Sequence, residues 1–169
     1  MHRDAARPRK SKNVNALVLV STLPAYNRPY PVSLQVDEQL YTEKFITPET
    51  LTAVYNLNFG PEFKKRVRVD EFIACELANP NPQSPEAYLS QLRALENFDL
   101  LDRVSSINNY TLIVTGDGDN VVSHENSRWM SEKILNSEFK LFEGVGHMVP
   151  VEAPQELAEY IESELLKRD

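Results

Sequence analysis

Glycine is scarce in this chain of 169 residues: Gly60, Gly116, Gly118, Gly144 and Gly146 are all there is. Their spacings exclude the cradles G-x-x-x-x-G-K and G-x-G-x-x-G, which need glycine wherever backbone closes on a phosphate. They also exclude G-x-S-x-G, the strained strand-to-helix turn that exposes a nucleophilic serine, because no two glycines stand four apart. Cysteine is scarcer still. Cys75 alone cannot staple a fold, which implies a reducing compartment or indifference to redox, and its place in a helical pattern reads as a small buried hydrophobe. With histidine only at His2, His124 and His147, no zinc set can be assembled, and nothing calls for any other cofactor. No run approaches the about 18 apolar residues of a membrane span, and the N-terminus lacks the apolar core of a signal peptide. The expectation is a cytoplasmic protein with no membrane partner. Positive charge is also in deficit, with 18 basic against 25 acidic residues and a formal net charge of −7, which argues against nucleic acid as partner. Small molecules or other proteins remain.

What the sequence does contain is concentrated between Thr111 and Pro154. Thr-Leu-Ile-Val-Thr-Gly-Asp-Gly-Asp ends at Asp119; Phe-Lys-Leu-Phe-Glu-Gly-Val-Gly-His ends at His147. Each is a short apolar run closed by a glycine-bearing turn that presents one polar side chain, so the two read as neighbouring parallel strands joined by a crossover helix. Open parallel sheets place their chemistry beyond the carboxyl ends of the strands, where an acid and an imidazole could meet. Taken singly, Asp119 reads as a turn residue bonding its own backbone, and His147 as a solvated loop histidine. A calcium loop starting at Asp117 is excluded, since it would put Val121, Val122 and Arg128 where an oxygen ligand, a glycine and the closing glutamate belong.

These residues carry a resemblance. Leu17-Val18-Leu19-Val20-Ser21-Thr22, Gly116-Asp117-Gly118-Asp119-Asn120-Val121-Val122 and Gly144-Val145-Gly146-His147 with Glu152-Ala153-Pro154 resemble the C-terminal half of a lidded α/β-hydrolase, of the kind related to epoxide hydrolases, esterases and bacterial haloperoxidases. The likeness covers nearly the whole chain. It implies an α/β fold with a short parallel sheet, flanking helices and an inserted helical lid, and it implies Asp119 and His147 as the acid and base of a catalytic triad, in the family's order. The nucleophile would stand before Leu17, where there is no room for an elbow, and its oxyanion hole would be missing with it. In epoxide and haloalkane relatives that nucleophile is an aspartate, and this half does not distinguish the cases. Tyr110 stands where such chains often carry proline.

The resemblance divides the chain into a basic tail and first core strand (1–28), a helical lid (29–106) and a C-terminal core bearing Asp119 and His147 (107–169). The tail, with Arg3, Arg7, Arg9, Lys10 and Lys12, shows no amphipathic period. Val14 to Val20 is the nearly continuous apolar run of a strand buried on both faces; the resemblance implies that it pairs on one side with the nucleophile strand and on the other with Thr111 to Thr115. Ser21 and Thr22 at its end stand in no elbow and read as hydroxyls capping a strand. From about Asp37 to Phe98 the pattern is helical, with starts at Thr47-Pro48-Glu49, Pro61 and Ser84-Pro85-Glu86. Leu89, Leu92, Leu95 and Phe98 form an apolar face to rest on the sheet or line a pocket. Lys64, Lys65, Arg66 and Arg68 read as a solvated helix face. His124 to Leu135 makes the crossover helix, offering Trp129, Met130 and Ile134 to the sheet. Pro154 opens a last helix whose stripe is Leu157, Ala158, Ile161 and Leu165.

Two functions follow. One is a hydrolase of ester-like or epoxide-like bonds, represented by a C-terminal part that is inactive alone. The other is a non-catalytic binding or interaction module derived from that fold. In either case the first strand would be an exposed edge, inviting an N-terminal half or self-association.

Overall fold

The computed structural model describes residues 14–26, 28–30 and 46–167. The basic tail through Lys12, with His2, and the first part of the helical stretch, from Asp37 to 45, lie outside the described residues. Strand β1 (Ala16–Val20) is followed by helices α1 (Pro48–Asn58), α2 (Pro61–Arg66), α3 (Val69–Leu77), α4 (Pro85–Glu96) and α5 (Leu101–Val104). Then come β2 (Tyr110–Gly116), α6 (His124–Lys133), β3 (Ser137–Phe142), α7 (Val149–Glu152) and α8 (Pro154–Leu166).

The strands form a parallel sheet in the order β1-β2-β3, with Val20 beside Val114 and Gly116 beside Phe142. β2 is buried along its whole length, which explains the consecutive apolar residues Leu112, Ile113 and Val114 at its centre: a parallel strand covered on both faces has no solvent side to alternate toward. Its successive residues serve opposite faces. Val114 packs with Phe142, Val145, Val149 and Leu157, beneath Tyr160 and Ile161 of α8. Ile113 packs with Met130 and Ile134 of α6, joined by Leu19, Trp129 and Phe139. Leu112, Ile113 and Val114 have no exposed surface, and each contributes about 1.5–3 kcal/mol of hydrophobic stabilisation.

The proline-marked starts hold. Thr47 accepts a hydrogen bond from Thr50 N (3.2 Å) and its own amide donates to Thr50 Oγ1 (3.0 Å), a reciprocal cap for α1; Ser84 Oγ accepts from Ala87 N (3.2 Å) at α4. Between α1 and α3 lies an aromatic cluster, with Phe59 and Phe63 stacked at 4.4 Å and Phe72 at 5.5 Å from both Tyr55 and Phe59. The Tyr55 hydroxyl, inside this cluster, donates to the Val67 carbonyl.

Three expectations need correction. Cys75 is exposed: one turn along α3 from Phe72, it lines an open cavity instead of packing into a core. Leu89, Leu92, Leu95 and Phe98 are only half-buried, and none of them lines the cavity bounded by α1 and α3. α8 meets the sheet through Leu157, Tyr160 and Ile161, leaving Ala158 and Leu165 exposed, because a helix over so narrow a sheet touches it along a single line. The basic cluster is solvated as expected at Lys65, Arg66 and Arg68.

Candidate functional site

The two glycine-bearing turns open on the same edge of the sheet and are stitched together. Asp117 N donates to Phe142 O (3.0 Å), Gly118 N to Val145 O (2.9 Å), and Gly144 N to Asp117 Oδ1 (2.7 Å). Gly144 has φ +71°, a left-handed conformation that glycine adopts without a steric penalty. These bonds set where the next residues of each turn must stand.

Asp119 Oδ1 accepts from Val121 N (2.9 Å) and Val122 N (2.8 Å), the local bonds expected of a turn aspartate. Its other oxygen is left free for a second task. Oδ2 stands 2.9 Å from His147 Nδ1, with the Asp119 side chain fully buried and that of His147 23% exposed. A carboxylate is an acceptor only, so a neutral imidazole in this bond carries its proton on Nδ1 and leaves Nε2 as the basic nitrogen. Asp119 therefore bonds its own turn through one oxygen and His147 through the other.

His147 is held from the main chain too: its amide donates to Asn58 O (2.8 Å) at the end of α1, and Gly146 N donates to the Glu152 carboxylate (2.9 and 3.0 Å). Neither partner was singled out by sequence reasoning. Glu152 stood in the quoted motif without a role, and Asn58 contributes a carbonyl, which no residue type signals. His124 lies apart, 3.0 Å from Glu125 through Nε2.

Ser21 follows β1 at φ +44°, with its amide donating to Val114 O (2.9 Å) and its buried hydroxyl without a partner among the described residues. No helix begins there, so Ser21 is not an elbow nucleophile. A cavity of about 560 Å³ is walled by Leu51, Val54, Phe59, Phe63, Phe72 and Met148; it reaches the residue after His147, but neither His147 nor Asp119 lines it. Its charged lining consists of Glu71 and Glu76. Among the described residues no group of three or more His, Cys, Asp or Glu could hold a metal, and no helix is long and apolar enough to cross a membrane.

A parallel sheet with helices on both faces, an aspartate after one strand and a histidine after the next, define the C-terminal part of an α/β-hydrolase fold, and this chain has that fold. The comparisons agree. An esterase from Exiguobacterium antarcticum is 23% identical with a TM-score of 0.73, over 93% of this chain and 59% of that one. The meta-cleavage product hydrolase from Pseudomonas fluorescens IP01 is 17% identical with a TM-score of 0.74, over 95% and 59%. The enol-lactonase from Burkholderia xenovorans LB400 is 14% identical with a TM-score of 0.74, over 94% and 58%. In sequence, a proline iminopeptidase of Lactobacillus helveticus (strain DPC 4571) is 31% identical over 110 residues, which are 64% of this chain and 35% of that protein. The chain therefore spans about a third of the curated relatives it matches. No family model matches it.

Proposed function

We propose that the chain is the acid- and base-bearing part of a hydrolase acting on ester-like or epoxide-like bonds. The observation that carries this reading is the 2.9 Å contact between His147 Nδ1 and the buried Asp119 Oδ2. Asp119 holds the imidazole in one tautomer and stabilises its charge. His147 Nε2 takes the proton of a nucleophile, returns it to the leaving group, and then activates the water that cleaves the covalent intermediate. If the nucleophile is an aspartate, His147 acts only in the second step. The nucleophile and oxyanion donors come from an N-terminal half, which adds its strand to the open side of β1. The apolar cavity that reaches Met148, the residue after His147, takes the acyl or leaving group under α1 to α3 as a lid, and its two glutamates disfavour anionic substrates there. The free Cys75 suits a cytoplasmic setting.

The test is expression of the chain together with its upstream in-frame coding sequence, assayed on activated esters and epoxides, beside the chain alone. An elbow upstream, with turnover abolished by His147→Ala, supports the reading. Turnover by the chain alone that Ser21→Ala abolishes would replace it with a different nucleophile. The second reading, a binding module, is favoured by the intact apolar cavity in a chain whose glycines permit no elbow. An upstream region without an elbow, no turnover, and saturable binding of an uncharged aromatic probe would establish that second reading.

A further inference from the structure

We propose that Glu152 is a positioning residue for His147, clamping the histidine turn to the end of α1 through one buried carboxylate. The proposal rests on the reading of His147 as the base. Glu152 is 3% exposed, and a buried carboxylate must find donors to offset its lost hydration. Those it finds among the described residues are main-chain amides. Oε2 accepts from Gly60 N (2.8 Å) and from Gly146 N (3.0 Å), and Oε1 accepts from Gly146 N (2.9 Å). The Arg66 guanidinium donates to the main-chain carbonyl of the same residue (2.8 Å), bringing a positive charge nearby.

Two segments far apart in sequence thus share one acceptor, and glycine makes that possible. A Cβ on Gly146 would lie 2.5 Å from Gly60 N and 2.6 Å from Asn58 O, so only bare backbone lets both amides reach the same carboxylate. The next amide along, that of His147, donates to Asn58 O (2.8 Å). The histidine backbone is therefore fixed through two successive amides, one to Glu152 and one to α1. Its ring is left to meet Asp119 with little freedom to swing. Glu152 touches neither reacting side chain, so its action is exerted through Gly146. Since α1 also supplies Leu51 and Val54 to the cavity wall, the cavity and the base are set by the same clamp.

The experiment is nuclear magnetic resonance of the isotopically labelled chain, following the downfield imidazole Nδ1–H signal of a histidine bonded to carboxylate, assigned by its loss in His147→Gln. In Glu152→Ala the solvent exchange of this proton should rise about tenfold or more, as loss of a charge-assisted hydrogen bond implies for a local opening equilibrium, while circular dichroism and cooperative unfolding persist. Glu152→Gln, which keeps one acceptor oxygen, should restore part of the protection. A folded Glu152→Ala with unchanged shift and exchange overturns the proposal. If the alanine variant fails to fold, the glutamine variant decides: faster exchange supports the clamp and unchanged exchange overturns it. Absence of the signal in the parent chain would overturn the Asp119 to His147 pairing itself, an outcome distinct from insensitivity to Glu152.

Discussion

His147 and Asp119, 28 positions apart, meet at 2.9 Å because their turns are bonded to one another before their side chains are. Gly118 N on Val145 O and Asp117 Oδ1 on Gly144 N fix the spacing of the two backbones. The side-chain contact then needs only the ordinary reach of an aspartate. In the protein extended by its upstream coding sequence, Asp119→Asn should lower kcat on an activated ester by about 10⁴, since the amide favours the wrong imidazole tautomer. A loss under tenfold would remove Asp119 from the catalytic role.

Gly146→Ala should destabilise the chain by about 1–3 kcal/mol or more, because the neighbours of the added methyl are backbone atoms that cannot turn aside. Urea unfolding monitored by circular dichroism measures this. An unchanged midpoint would mean that the contact between the histidine turn and residues 58–60 is looser than described.

Among the described residues β1 pairs on one side only, and Val18 on it is 38% exposed. An apolar strand with a free row of amides and carbonyls invites another strand. Sedimentation at rising concentration should show self-association of the chain, reduced in Val18→Lys. A monomer at high concentration would mean that a segment of the chain itself covers this edge.

The Tyr160 hydroxyl is pushed up to about 12 by burial and by the nearby Glu164, Tyr110 and Glu138. Its folded value lies above the unfolded one, so the folded state keeps a proton that the unfolded state gives up. The contribution to stability is fully present below pH 10 and is lost as pH rises toward 12. Tyr160→Phe should flatten the alkaline fall in stability, and ultraviolet titration should find one late-ionising tyrosine fewer in the variant than in the parent. A steep fall unchanged in the variant would assign it to another group.

Much of this was legible in the chain because periodicity is local. β2 shows as a short apolar run between threonines, α1, α2 and α4 begin at prolines, and Asp119 and His147 each follow a strand and a glycine. Less legible was which face each helix would turn. The stripe on α8 was right at Leu157 and Ile161 but took Ala158 and Leu165 where Tyr160 packs, and α4 was credited with an apolar face that is only half-buried, because hydrophobic spacing says that a face exists and not what will cover it.

By itself the sequence determined the strands, the parallel pairing of β2 with β3, the proline-marked helix starts, the placing of one acid and one imidazole at strand ends, and, from five glycines, the absence of an elbow within these residues. Each of these depends on residue type and short-range spacing. Only the tertiary structure decided that Asp119 would divide its two oxygens between its own turn and His147, that Cys75 would face outward, and that Glu152 would hold Gly60 and Gly146 together. These relations join segments up to 92 positions apart through main-chain amides and carbonyls. Every residue except proline carries both groups, so the sequence holds no mark of which of them will meet.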